Sequence, residues 1–412
     1  MKDLRAGEFS MAEFWVRRIR RIMPAASVMA LVSSVAGYQV LNPEQFINLA
    51  ESSIAQALMV TNVFFWSDSG YFAEASDLKP LLHTWSLAVE EQFYVFFPLL
   101  LFFLSKKLKK YTFSICILIG VASFILSCWA LLHKPGANFY LLPTRVWELM
   151  IGALLSLLSF KKEMSQKLAE GISCSGFLAI LIAMIMYNPQ TPFPGWTAIP
   201  PVLGAGMFIM ANTNNQTMVG KLLSNKPFVF IGIISYSLYL WHWPILVFSK
   251  HVIIDINLQW KFALLVGSFL IAVVSWRFIE TPFRKSRLLE KRVSAFGLAV
   301  LSTMGFLILG VTIWKENGMP SRINEEHRLL INDISERGEE YQSDEFSYIT
   351  IGSTAIVTDQ KAIPSFVLWG DSHAMAVSST VDDYARKKGL YGIVHANHSC
   401  IPVTGLMKDN HR

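Results

Sequence analysis

The distribution of apolar residues constrains the fold of this chain more than any other feature. Hydrophobic residues make up 53% of its 412 residues, and charged residues only 16%, whereas soluble domains usually carry about 25% charged residues. The apolar residues form about nine stretches long enough to cross a bilayer, at 24–41, 86–104, 111–132, 143–160, 171–187, 197–211, 228–248, 260–278 and 294–314. We therefore predict a polytopic all-α membrane protein. A more mixed segment, 44–66, is predicted to lie along the membrane surface.

Basic residues predict the orientation of these spans. Lys and Arg concentrate before the first span and after the second, fourth, sixth and eighth, whereas the alternate loops hold few. Because Lys and Arg accumulate on the cytoplasmic side, the N-terminus is predicted inside and the C-terminus outside. The same loops explain the net charge of +6, so no nucleic-acid partner is indicated.

Ionisable residues at the start of the second span indicate a functional site. An ionisable group at membrane depth costs at least ~2.5–3.5 kcal/mol on insertion scales, so its presence suggests a function. On a regular helix, His83, Glu90 and Tyr94 fall within about 20° of one azimuth, and Glu91 lies roughly 80° away. One helix face therefore combines a base with an acid, and a second acid lies beside it.

Two further spans carry polar residues at helical spacing. Arg145 and Glu148, three residues apart, share a face near the outer end of the fourth span. In the seventh span, Ser235, Tyr239 and His242 follow at i, i+4 and i+7 and form one stripe. With the predicted orientation, these residues and His83 face a cavity open to the periplasm.

Some of these residues could have purely structural roles. Arg145 and Glu148 could be an ion pair that joins helices, and His242 a core histidine. Trp241 and Trp243 are predicted to lie in the interfacial aromatic belt. Arg277 and Glu280 are predicted to be helix-end anchors at the cytoplasmic end.

The basic cluster before the first span has two interpretations. It consists of Arg17, Arg18, Arg20 and Arg21. It could fix the orientation and contact lipid phosphates, or it could bind the phosphates of an anionic substrate.

The chain after the last predicted span is less apolar than the part before it, and it is predicted to be exported. Residues 315–362 are polar and are predicted to be an extracytoplasmic linker, whereas 365–373 is predicted to be a strand ending in a Gly turn. A helix over 374–388, closed by Gly389, and a second strand over 390–396 complete the start of an α/β domain.

Ser372 follows the first strand of the tail and precedes a helix. This position exposes a hydroxyl and places backbone N–H groups near it, as a nucleophile requires. Adjacent His373 cannot easily turn back onto Ser372, so its partners are expected from further along the chain. The alternative is an ordinary turn in which Ser372 caps the helix. No metal-ligand spacing, P-loop or GxGxxG is present, so no metal site is predicted.

Five segments together resemble the membrane acyltransferase-3 family, whose members O-acetylate O-antigen and other surface glycans. They are Phe14–Pro24, Leu82–Tyr94, Tyr140–Gly152, Ile231–Pro244 and Phe278–Arg284. The tail resembles the periplasmic SGNH-hydrolase-like domain fused to some members. The resemblance predicts a membrane acyltransferase domain at 1–314, the linker at 315–362 and the first part of the SGNH-like domain at 363–412.

The resemblance implies an O-acyltransferase in a bacterial inner membrane. An acetyl group would pass from cytosolic acyl-CoA to a hydroxyl of a surface glycan such as lipopolysaccharide O-antigen, with peptidoglycan as an alternative acceptor. No bound cofactor is expected, and no oligomeric state is predicted. Among the residues singled out above, His83, Glu90, Glu91 and Ser372 would be catalytic, and Ser372 would relay the acyl group. Substrate would be bound by Arg145, Glu148, Ser235, Tyr239 and His242, and acyl-CoA phosphates by the basic cluster.

The chain also departs from the family pattern. Members usually begin with two further spans, the first of which carries an Arg and a His, and this His has no counterpart here. The later SGNH blocks, including Asp-x-x-His, are missing as well. We therefore expect the chain to correspond either to an interior fragment of such a protein or to a truncated open reading frame.

Two other classes of function compete with the acyltransferase. A transporter would also carry intramembrane charges, but it predicts inverted repeats and no serine-hydrolase start on the tail. A de-acylating esterase with a membrane anchor would need fewer spans and no acids within them.

The predicted topology is testable with reporter fusions. We expect a fusion at residue 108 to report a cytoplasmic location and one at residue 340 a periplasmic location, because Lys and Arg flank the former position. Alkaline phosphatase and fluorescent-protein activities measure the two locations. The opposite pattern would reverse the orientation and the side on which His83 lies.

Overall fold

The computed structural model describes residues 10–69, 76–158, 164–253, 256–323, 349–352, 365–370 and 372–396. The chain divides into two compact units, Met1–Pro320 and Ser321–Arg412. The described part of the first unit is helical. Its helices are α1 Met11–Val40, α2 Pro43–Ala57, α3 Thr61–Ser67, α4 Trp85–Lys107, α5 Thr112–His133, α6 Pro135–Tyr140, α7 Leu142–Leu157, α8 Gln166–Met186, α9 Ile199–Asn212, α10 Met218–Leu223, α11 Lys226–Val252, α12 Leu258–Ser275, α13 Thr281–Lys285 and α14 Arg292–Lys315.

Short turns connect several of these helices. A π-turn, Trp276–Glu280, joins α12 to α13. Single 3₁₀ turns lie at Ser76–Leu78, Leu82–Thr84, Lys109–Tyr111, Gly195–Ala198, Leu288–Glu290 and Pro320–Arg322.

The prediction of a polytopic helical membrane protein is confirmed, with fewer full-length spans. Within the described ranges, 7 helical stretches are long and apolar enough to cross a membrane, in α1, α4, α5, α8, α11, α12–α13 and α14. The predicted spans at 143–160 and 197–211 are instead α7, with 16 residues, and α9, with 14 residues. At ~1.5 Å per residue, these helices cover about 24 and 21 Å of a ~30 Å hydrocarbon core. They pack along α5 and α8, respectively.

Helix α1 begins earlier than predicted. The hydroxyl of Ser10 caps its N-terminus by accepting from the backbone N–H of Glu13 at 3.4 Å. The basic cluster therefore lies within the helix rather than before it. Arg is a good helix former, so the charge does not end the helix.

The segment at 44–66 was predicted to lie along the membrane surface, but part of it is buried in the protein. A capping box between Asn42 and Gln45 begins α2. Phe46 and Leu49 of α2 and Phe65 of α3 are buried in the main core, together with Met29, Leu81 and Leu240. The apolar face of this segment packs on α1 and α14 instead of on lipid headgroups.

The described part of the second unit contains a three-stranded sheet and one helix. The strands are β1 Ile349–Gly352, β2 Phe366–Gly370 and β3 Tyr391–Ala396, in the order β1-β3-β2. Strand β3 is parallel to β2 and antiparallel to β1. Helix α15, Ser372–Lys388, makes the crossover that a parallel pair needs. The predicted strand–helix–strand start is therefore present, and β1 lies within residues predicted to be linker.

Close packing of α8 on α9 depends on two glycines. A Cβ added at Gly176 would lie 2.5 Å from the carbonyl oxygen of Gly204, and one at Gly204 would lie 2.6 Å from that of Gly176. Small residues at such contacts let membrane helices approach closely.

We expect Gly176→Ala to destabilise the membrane domain by ~1–3 kcal/mol, because the added methyl overpacks a backbone contact. Thermal unfolding in detergent measures the effect. Gly171→Ala on the same helix is the control, since a Cβ there meets nothing within 4 Å. Equal stability of the two variants would contradict the helix contact.

Candidate functional site

The 3₁₀ turn Leu82–Thr84 brings His83 into contact with α11. The side chain is 6% exposed, and its Nε2 lies 3.1 Å from the carbonyl oxygen of Leu240. Because a carbonyl oxygen only accepts, Nε2 carries the proton and Nδ1 carries a lone pair. Nδ1 is buried and has no hydrogen-bond partner in the part of the chain that the structure describes.

Tyr239 and His242 complete an aromatic cluster with His83. The ring of His83 is 5.3 Å from that of Tyr239 and 5.8 Å from that of His242, centroid to centroid. The Tyr239 hydroxyl donates to the carbonyl oxygen of His83 at 2.5 Å. His242 Nδ1 donates to the carbonyl oxygen of Tyr239 at 2.7 Å, which leaves the lone pair on Nε2. The two imidazoles therefore lie side by side, and in its neutral form each has one ring nitrogen left to accept a proton.

Ser235 is not part of this cluster. It is exposed, and its hydroxyl donates to the carbonyl oxygen of Gly232 on its own helix at 2.9 Å. The turn that carries His83 contacts α11 at Tyr239 and His242, beyond Ser235. The predicted three-residue stripe is thus reduced to its last two members.

The two acids of α4 lie between this cluster and α1. Glu90 is within electrostatic range of Tyr239 and of Arg18 and Arg21. Glu91 is 3% exposed. The guanidinium of Arg18 lies 3.5 Å above the ring of Tyr94. Because His83 precedes the α-helix in a tighter turn, regular helical spacing does not relate it to Glu90 and Tyr94.

Two adjoining cavities form a passage beside Glu91. The wide cavity, of about 530 Å³, is lined by residues of α1, α2, α4 and α14, including Trp15, Arg18 and Phe296. The narrow cavity, of about 40 Å³, continues to Thr84, the neighbour of His83. Both are lined by Ile22, Met23, Ala57, Met59 and Glu91. A cavity open to the periplasm was predicted, whereas this passage runs toward the basic cluster at Arg18.

Arg145 and Glu148 form an ion pair at 3.0 Å. The guanidinium of Arg145 also lies 5.2, 5.7 and 5.5 Å from the ring centroids of Trp85, Phe139 and Phe193. Trp85 also contacts the rings of Phe139 and Tyr140, so the pair lies in a separate aromatic group. An arginine among aromatic rings and beside a carboxylate is suited to contact a sugar.

The basic cluster is divided by its contacts. Arg20 donates to the carbonyl oxygens of Arg284 at 2.5 Å and Ser286 at 3.1 Å. It therefore ties α1 to the end of α13, whereas Arg17 and Arg21 are exposed.

Glu280 is more deeply buried than the predicted helix-end anchor. It is 2% exposed, pairs with Arg284 at 3.5 Å near the end of its span, and accepts a hydrogen bond from the Ser237 hydroxyl of α11 at 3.1 Å. The π-turn Trp276–Glu280 places it there, and π-turns recur at functional positions. The only sequence signal for Glu280 was its place in the segment Phe278–Arg284.

The amide pair Asn62 and Gln92 was also missed. Gln92 Nε2 donates to Asn62 Oδ1 at 2.8 Å, and Asn62 Nδ2 donates to Gln92 Oε1 at 3.2 Å.

Trp241, predicted to be interfacial, is 8% exposed in the main core. The indole of Trp243 donates to the carbonyl oxygen of Lys79 at 2.9 Å.

The segment that precedes His83 is fastened by two ion pairs. Lys79 is 2% exposed and lies 2.5 Å from Asp68 Oδ2. Asp77, outside the spans, pairs with Lys250 at 2.7 Å in an exposed position. The hydrogen bond from Lys250 holds the pKa of the Asp77 carboxyl below its ordinary value.

Ser372 begins α15, directly after β2. The side chains of Ser372 and His373 lie outside what the structure describes, so the predicted nucleophile keeps its backbone position and no geometry is assigned to it.

Comparison with known proteins agrees with this architecture. The profile of the acyltransferase domain family matches residues 4–277, and that of the SGNH domain fused to such domains matches residues 339–412. The O-acetyltransferase OatA of Staphylococcus aureus strain MRSA252 is 32% identical over 317 residues, as is OatA of strain NCTC 8325 / PS 47. Each alignment covers 72% of this chain and 52% of the relative, so the chain spans about half the length of these proteins. No solved structure matches the chain.

These matches define a class of protein with a membrane acyltransferase domain and an extramembrane SGNH-like domain. The chain belongs to the acyltransferase-3 family, with an SGNH-like region at its C-terminus.

Loss of the carboxylate at Asp68 is expected to leave the Lys79 ammonium buried without its counter-charge. We expect Asp68→Asn to lower stability by ~2–4 kcal/mol, somewhat less than the cost of breaking a fully buried pair because Asp68 is half-buried. Thermal unfolding of the purified protein measures it. Asp77→Asn, which breaks the exposed pair, should cost at most ~1 kcal/mol. An equal loss in both variants would show that burial of Lys79 does not matter.

Proposed function

We propose that the protein is a membrane O-acetyltransferase. It takes an acetyl group from acyl-CoA on the cytoplasmic side and delivers it to a hydroxyl of a cell-surface glycan, with lipopolysaccharide O-antigen as the acceptor. The observation that carries this proposal is the juxtaposition of the His83 and His242 rings, close to a passage that leads toward a cluster of arginines.

An imidazole with a free nitrogen supplies the base that acyl transfer needs. His83 or His242 takes the proton of the acceptor hydroxyl, whose oxygen attacks the thioester carbonyl carbon. The carbon–sulfur bond then breaks, and the thiolate of CoA leaves and takes up the proton. The negative charge of Glu90 stabilises the imidazolium formed in this step.

The acceptor side of the site is assigned to Arg145 and Glu148. The aromatic rings around Arg145 offer a face for a sugar ring, and the paired charges offer hydrogen bonds to its hydroxyls. Ser372 is proposed as the first acceptor, whose hydroxyl makes this attack on the thioester. The glycan hydroxyl then attacks the carbonyl carbon of the seryl ester, and the Ser372 oxygen leaves and takes up the proton.

The donor side of the site is assigned to the basic cluster. Arg17 and Arg21 are exposed and Arg18 lines the wide cavity, so these three are proposed to contact the phosphates of CoA. Arg20 is assigned to holding α1 against α13 instead. A donor on one side and an acceptor on the other explain why the site lies within a membrane domain.

We expect His83→Ala and Glu90→Gln to abolish glycan acetylation, by a factor of ~100 or more, because each removes a charge or a proton acceptor from the reaction. The measurement is ester-linked acetate released by mild alkali from purified O-antigen, with peptidoglycan as a parallel fraction, in cells that express the full-length protein. His133→Ala is the matched control, since His133 is exposed and contacts Trp129 on its own helix.

The outcomes separate the competing functions. Acetate in O-antigen supports the proposed acceptor, and acetate only in peptidoglycan replaces it with the alternative. Normal acetylation by a His83→Ala protein at normal membrane level contradicts the proposed base. Uptake of a small anion in vesicles without any acyl transfer would favour a transporter.

A further inference from the structure

The narrow cavity has two unusual polar atoms in its wall. Glu91 Oε1 and Gln56 Oε1 are buried and have no hydrogen-bond partner among the described residues. The Gln56 amide orientation follows from its other end, because Nε2 donates to the carbonyl oxygen of Ala26 at 3.1 Å. Buried acceptors left unpaired cost free energy and therefore call for an explanation. Both are acceptors, so what they lack is a donor.

The wall that surrounds these two atoms is mostly apolar and small. Ala26, Ala57 and Ala88 line it with Leu87 and Phe306. Its volume of about 40 Å³ holds about three atoms of the size of water, at ~10–15 Å³ each. An acetyl group has three non-hydrogen atoms, whereas a butyryl group has five.

We infer that the passage binds the acylated pantetheine arm of the donor and selects acetyl by size. This inference rests on the proposed acyl-CoA donor. The arm carries two secondary amides, and the N–H of the one nearer the thioester is the donor that Glu91, which lines both cavities, lacks. The nucleotide lies toward Arg18 in the wide cavity, and the acyl group occupies the narrow cavity near Thr84. Glu91 is then a donor-binding residue rather than a proton-transfer residue.

Two substitutions test whether Glu91 acts as a hydrogen-bond acceptor. Gln keeps an oxygen that accepts from an amide N–H, whereas Leu keeps only the approximate volume. We expect Glu91→Gln to bind acetyl-CoA within about threefold of the wild-type Kd, and Glu91→Leu to bind about tenfold more weakly, as loss of one buried hydrogen bond predicts. Glu44→Gln, an exposed acid on α2, is the control.

The size selection is tested in the same binding experiment. The full-length protein in nanodiscs is titrated with radiolabelled acetyl-, propionyl- and butyryl-CoA. We expect wild type to bind acetyl-CoA about tenfold more tightly than butyryl-CoA, because the longer chain overfills the cavity. Leu87→Ala should bring the two within about threefold. Leu104→Ala is the matched control, since Leu104 is buried on the same helix and lines neither cavity.

The outcomes distinguish this inference from the proposed function. No binding of acetyl-CoA by folded wild type overturns the acyl-CoA donor and the inference with it. Binding of acetyl-CoA without preference over butyryl-CoA overturns only the size selection. A Glu91→Gln protein as weak as Glu91→Leu overturns the amide contact, and a Glu91→Leu protein that does not fold leaves Glu91→Gln and the wild-type acyl series to decide.

Discussion

The hydrogen bonds between the turn at His83 and helix α11 are the contacts on which the site depends. The imidazole of His83 donates to the backbone of Leu240, and Tyr239 donates to the backbone of His83. Backbone groups within a membrane domain must find protein partners because lipid offers none. The turn and the helix therefore satisfy each other, and in doing so they fix which nitrogen of His83 is free.

The predictable part of this protein was the part governed by regular periodicity. Apolar runs predicted the long helices, and the spacing of Tyr239 and His242 predicted that both would face one neighbour. The errors arose where the helical period changes. A 3₁₀ turn separates His83 from the register of Glu90, and a π-turn buries Glu280, which regular spacing placed at a helix end. Single residues in a sequence do not reveal such changes of register, because they depend on what packs against the turn.

Two further features could not be predicted from the sequence: the lengths of the short helices and the contacts between residues distant in the chain. Helices α7 and α9 are apolar enough to resemble spans, but with 16 and 14 residues they are shorter than the other membrane helices. The Asn62–Gln92 pair and the Arg20 contacts join residues far apart in the chain. Their partners follow only from the tertiary fold. Helical spacing therefore predicts which residues of one helix share a face, but not which residues of other helices they contact.

The polar groups follow one another along the membrane domain, from the arginines of α1 to the narrow cavity. Arg17 and Arg21 are exposed at the predicted cytoplasmic end of α1, and Glu91 lines the passage in the middle. Thr84, the neighbour of His83, lies in the wall of the narrow cavity at the other end of the passage. A large anionic carrier could enter the wide cavity and be held there by charge, while the narrow cavity admits only a few atoms. Such a constriction would separate the carrier from the acceptor and would let only the group to be transferred reach the histidines.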